Sequence, residues 1–70
     1  MNAGQLVVPV NDVAVYPTLT PGDWSTVSVP RGSLGVVLES HHERSTRRTF
    51  LRVLFPQGVG WLNSAFVRPP

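Results

Sequence analysis

The sequence predicts an all-β protein: a small closed barrel of five to six short strands with one 3-10 turn before the last strand. Three observations point there. No stretch repeats apolar residues at helical spacing. Valine and threonine cluster in short runs, and branched side chains suit a pleated, half-buried surface. Those runs are punctuated by seven prolines and six glycines, the residues that mark turns. So few short strands, interrupted by a long early loop, are too little for a sandwich. Closure into a cylinder removes most exposed strand edges.

Gln5 to Val10 reads as a first strand, with Pro9 at an edge, a bend or a strand end because proline has no amide donor. Asn11-Asp12 is a turn signal. Val13 to Tyr16 resumes an extended run, and Pro17, Pro21 and Gly22-Asp23 make a long irregular loop. Trp24 to Val29 alternates as a strand or as the returning arm of that loop. Pro30 to Ser33 is a sharp turn, and Leu34 to Ser40 is a strand. His41 to Arg48 contains no apolar residue and reads as a solvated loop. Thr49 to Phe55 is the clearest strand, with Leu51, Val53 and Phe55 on the core face and Phe50, Arg52 and Leu54 opposite. Pro56-Gln57-Gly58 turns the chain into a strand over Val59 to Leu62. Asn63-Ser64-Ala65 suits the 3-10 turn, and Phe66-Val67-Arg68 closes the sheet.

Seventy residues make one domain, 1–70, with 1–4 and 69–70 expected as flexible tails. A chain this short buries roughly 60% of its unfolded surface, so a protein partner or self-association is expected to support it. The absence of cysteine excludes disulfides and thiolate metal sites. No apolar run reaches the roughly 20 residues of a membrane span. The start, Met-Asn-Ala-Gly-Gln, lacks the basic and apolar segments of a secretory signal. A cytoplasmic protein without a membrane association is expected.

All six basic residues are arginine. The first thirty residues carry only Asp12 and Asp23, a charge of −2, and the last forty carry six arginines against Glu39 and Glu43, a charge of +4. That asymmetry would steer an acidic partner toward the second half.

Three segments together resemble the SH3 family. Ala14-Val15-Tyr16 is similar to the start that precedes the long early loop of that family. Pro30 to Glu39 is similar to its diverging turn and second barrel strand. Gly60-Trp61-Leu62-Asn63-Ser64-Ala65-Phe66-Val67 resembles its ending, most closely that of bacterial SH3 domains. Gly32 and Gly35 with Val36 and Val37 also resemble the KOW-type turn of ribosomal and transcription-elongation barrels. The resemblance implies a docking or structural module. It departs from the polyproline-binding members, because Asn63 stands where they have proline, Phe66 replaces a tyrosine, and the strand start Thr49-Phe50 has no tryptophan pair. A polyproline groove needs flat aromatic walls and acidic residues. A free-standing barrel of this length is similar to small accessory proteins of bacteriophages and bacteria, including virion components of capsid or tail, which would also place it in a virion.

The expected function is therefore non-enzymatic protein–protein interaction, through a surface of Tyr16, Leu19, Trp24 and Phe66. A stiff proline-rich loop loses less entropy on docking. The first alternative is nucleic-acid binding by Arg44, Arg47 and Arg48, which can grip phosphates, with Phe50 nearby to stack on a base. The second is inhibition or regulation of a host enzyme by the same docking surface. His41-His42-Glu43 has too few converging donors for a metal site. With four acidic residues, no nucleophile motif and no phosphate-binding glycine loop, neither a catalytic site, a cofactor nor a small-molecule substrate is expected.

Overall fold

The computed structural model describes residues 2–19 and 25–70. Trp24, one of the four docking residues expected from sequence, lies outside them. Among the described residues the chain is mostly strand, with one 3-10 turn and no α-helix. The strands are β1 (Leu6–Pro9), β2 (Val13–Val15), β3 (Val27–Val29), β4 (Gly35–Glu43), β5 (Arg48–Phe55), β6 (Gly58–Asn63) and β7 (Val67–Arg68). No helix among the described residues is long and apolar enough to cross a membrane.

Alternation builds the elements. In β5, Leu51, Val53 and Phe55 are buried while Leu54 is half exposed, as the sequence pattern requires. Every strand sends at least one side chain into a single core. Val7, Val15, Val29, Val37, Leu62 and Val67 each represent one strand, and β5 supplies the other three. Pro9 fits because it ends β1, where it is buried and its carbonyl accepts from the Gly32 amide at 3.3 Å.

Five strands form an antiparallel sheet in the order β6-β5-β4-β1-β7, and β2 and β3 form a separate two-stranded ribbon. The expected closed cylinder is not formed. The large sheet keeps β6 and β7 as its two edges, and among the described residues one isolated bridge, between Tyr16 and Trp61, ties the ribbon to β6. The reason lies in strand length. β2 and β3 are three residues each and β7 is two, too short for the continuous ladders that closure requires.

Three further expectations change. The polar segment His41 to Arg48 is not a long loop, since β4 runs to Glu43 and β5 begins at Arg48, leaving a turn of 44–47. Cross-strand pairing with β5 extends β4 past the core, where polar side chains stay in solvent. The 3-10 turn is Ser64–Phe66, one residue later than expected, because Asn63 serves as its cap. Phe66 consequently belongs to the turn and not to the last strand. A bulge between Val37 and Glu39 leaves Leu38 without a cross-strand partner, bending β4 where it passes from its β1 neighbour to pairing with β5 alone.

Candidate protein-interaction surface

Tyr16 follows β2 and is held by its backbone. Its amide donates to the Trp61 carbonyl at 3.0 Å, and the Trp61 amide donates to the Tyr16 carbonyl at 2.6 Å. This close approach needs a glycine next door. A Cβ on Gly60 would lie 2.7 Å from Val15 Cγ2 and 2.9 Å from the Tyr16 oxygen, inside van der Waals contact. The ribbon is thereby pressed onto β6, yet Tyr16 stays 44% exposed.

Phe66 is presented in the same manner from the 3-10 turn. The Asn63 side chain accepts from the Ala65 amide at 2.9 Å, and the Val67 amide closes the turn onto the Ser64 carbonyl. The Phe66 carbonyl accepts from the Val10 amide at 2.9 Å. Its backbone is pinned while the residue is 50% exposed. Leu19, beyond Pro17, is exposed as well.

Two residues join this set that composition and spacing do not place in it. Phe50 lies directly across from Asn63 in the β5–β6 ladder, beside the turn that carries Phe66, and is half-buried. Trp61, the bridge partner of Tyr16, is half-buried too. The carboxy-terminal end of β6 therefore gathers backbone positions for Tyr16, Phe50, Trp61 and Phe66. Only the strand register reveals this, because residues 16 and 50 are far in sequence from 61 and 66.

The arginine turn lies at the same end of the sheet. Counting along β5, Arg48 is two residues from Phe50 and shares its face. Arg44, Arg47 and Arg48 are exposed. The one ion pair among the described residues is elsewhere, between Arg52 and Glu39 at 3.9 Å. Glu43 stands opposite Arg48 in the ladder, but its carboxylate accepts from the Ser45 hydroxyl at 2.8 Å. Arg47 has φ 57, the left-handed region that disfavours residues carrying a Cβ.

Other polar features offer less chemistry. A shallow open depression of about 420 Å³ runs along the ribbon, lined by Asp12, Val13, Ala14, Ser28, Val29 and Pro30. Its single carboxylate is engaged, since Asp12 Oδ1 accepts from the Arg31 amide at 2.8 Å. His42 Nδ1 lies 3.1 Å from the Thr49 hydroxyl. No group of three or more His, Cys, Asp or Glu that could hold a metal ion occurs among the described residues. No protein-family model, curated protein or solved structure matches the chain.

Proposed function

We propose that this protein is a non-enzymatic docking module of SH3-like architecture that binds an acidic protein segment at the end of β6. Support for the architecture comes from the strand order. A two-stranded ribbon is inserted between β1 and β4, three long strands form successive hairpins, and a 3-10 turn precedes the last strand. That is the arrangement the ending Gly60 to Val67 resembles. Support for the binding role comes from one observation above all: Tyr16 and Phe66 remain about half exposed although their backbones are hydrogen-bonded in place. Preorganised exposed aromatics make anchors at little entropic cost. The arginines of the neighbouring turn supply the complementary charge. A part in joining components of a virion, or in occluding a host enzyme, would use this same surface.

The test is selection from a random displayed peptide library against the immobilised chain. Acidic peptides carrying an apolar anchor are expected to enrich and to be competed by free peptide. Binding should fall at least about tenfold in Tyr16→Ala and Phe66→Ala, the loss of a hot-spot aromatic. Enrichment without acidic bias, or binding indifferent to both substitutions, would overturn the reading.

A second reading rests on Arg47. Its left-handed backbone costs about 1–2 kcal/mol that glycine would avoid, and such residues cluster at functional sites. Arg44 and Arg47 of the turn, with Arg48 and Phe50 on one side of β5, would then hold single-stranded nucleic acid. Three phosphate contacts give a log–log salt slope of about −2. A mobility-shift titration in rising salt reads that slope, and an Arg44/Arg47/Arg48→Ala chain should lose all retention. Absence of a shift at low salt removes this reading.

A further inference from the structure

The outer face of the large sheet is not uniformly polar. In an antiparallel ladder, directly paired residues point to the same side. Leu6 pairs with Val36, Val36 with Leu54, and Leu54 with Val59. These four form one row across β1, β4, β5 and β6, on the side opposite Val7, Val37 and Val53. Leu6 and Leu54 are 44% and 50% exposed. The next row along the strands opens with Glu39 opposite Arg52. An uncovered sheet face of an antiparallel protein is normally solvated and polar, so a continuous aliphatic row beside a charged one marks a contact surface.

We propose that this face binds a second copy of the chain, sheet on sheet, about a two-fold axis running along the strands between β4 and β5. The strand order fixes the axis. Rotation about that line exchanges β4 with β5 and β1 with β6. Leu6 then lies over Val59 of the second copy, Val36 over Leu54, and Glu39 over Arg52. Farther along, His41 lies over Phe50 and Glu43 over Arg48. The aliphatic row meets itself, and each carboxylate of the face meets an arginine. An axis along β5 itself would instead stack Arg52 on Arg52. The within-chain Glu39–Arg52 pair is long, at 3.9 Å, and both side chains are about half exposed. Such a pair is weakly held, which leaves both groups free to pair across the interface. The contact is isologous and closes at two chains. This face shares Phe50 and Trp61 with the docking end, but Tyr16 and Phe66 belong to none of its strands. Neither proposal depends on the other.

The size of the face sets the affinity range. The face has twelve outward positions, four in the aliphatic row and then three, three and two; with strands about 4.8 Å apart and rows about 7 Å apart they cover about 400 Å², below the ~800 Å² per partner of a standard interface. The dimer is therefore weak and is sought at high chain concentration.

The experiment is sedimentation equilibrium of the full chain, from sub-millimolar to low-micromolar concentration, with circular dichroism as the check on folding. The wild-type mass is expected to rise toward two chains and to stop there. Glu39→Arg sets base against Arg52 in a homodimer, and Arg52→Glu sets acid against Glu39, so each alone should associate about tenfold or more weakly. Mixing the two in equal amounts restores opposite charges in the heterodimer and should restore the dimer mass. Leu54→Gln, at a half-exposed site, should also give monomer and tests the apolar row without altering charge. A wild-type chain that stays monomeric overturns the proposal. So does association that proceeds past two chains, that is unchanged in the folded single variants, or that is not recovered in the mixture.

Discussion

Gly60→Ala places one methyl where the ribbon meets the large sheet, so it measures whether that contact organises the end proposed for docking. The added Cβ would sit 2.7 Å from Val15 Cγ2 and 2.9 Å from both Val15 Cβ and the Tyr16 carbonyl oxygen. Val15 is fully buried, and the Tyr16 oxygen belongs to the backbone, so neither yields by a simple rotamer change. Overpacking a tight site costs about 1–3 kcal/mol. Moving the ribbon away instead breaks the two Tyr16–Trp61 backbone hydrogen bonds, about 1 kcal/mol each. Alanine regains about 0.4–1 kcal/mol by stiffening the unfolded chain. These are alternative responses, so the net expectation is a loss of about 1–2 kcal/mol, which for a domain of this size lowers Tm by about 4–16 °C. Thermal and urea unfolding measure the loss, and amide exchange at Tyr16 and Trp61 locates it. Gly32→Ala is the control, because φ 84 strains it while nothing lies within 4 Å of its Cβ. It should lose about 1–2 kcal/mol and leave the Tyr16 and Trp61 amides protected. The two losses are of similar size, so the amides decide: if Tyr16 and Trp61 keep their protection in Gly60→Ala, the ribbon does not pack on β6 as described.

Three further outcomes follow from the same geometry. Leu51→Ala removes a fully buried side chain and should cost about 2–5 kcal/mol, whereas Leu54→Ala, on the opposite strand face and half exposed, should cost under about 1 kcal/mol; equal losses in urea titrations would mean the faces of β5 are misassigned. Asn63→Pro should leave stability within about 1 kcal/mol, because Asn63 already has φ −66, a proline value. Trp61 spends its amide and carbonyl on Tyr16, so strand alternation also turns the Asn63 amide away from β5; the small loss of its cap is offset by a stiffer unfolded chain. Arg47→Gly should raise stability by about 0.5–1 kcal/mol in thermal unfolding by relieving the φ 57 backbone, and if it destabilises, the left-handed turn at the hairpin tip is wrong.

Much of the strand content is local and was therefore legible. Thr49 to Phe55 alternates with a period of two, and burial follows that period through its core face. The turn at Pro56 to Gly58 and the 3-10 turn near Asn63 are likewise written in residue types that restrict φ or cap a helix end. Expectation and structure part where local composition and long-range pairing disagree. His41 to Glu43 carries no apolar residue and resembles a loop, yet its backbone is paired to Phe50, Thr49 and Arg48. Side-chain polarity reports which face is wet, and says nothing of whether a strand continues beyond the core.

The residues proposed for docking divide along the same line. Exposure of Tyr16, Leu19 and Phe66 accords with their positions beside prolines and turns. The neighbourhood of Tyr16 with Trp61, and of Phe50 with Asn63, is a property of register, as are the aliphatic row from Leu6 to Val59 and the bulge at Leu38. From its residues alone, this chain is committed to strands, to a cysteine-free single core and to a positive second half, because periodicity, composition and charge are carried by each residue and its neighbours. Which strands lie side by side, whether the sheet closes, and which faces remain open were decided only in three dimensions. Those features depend on contacts between distant segments, whose free energy no short window of sequence contains.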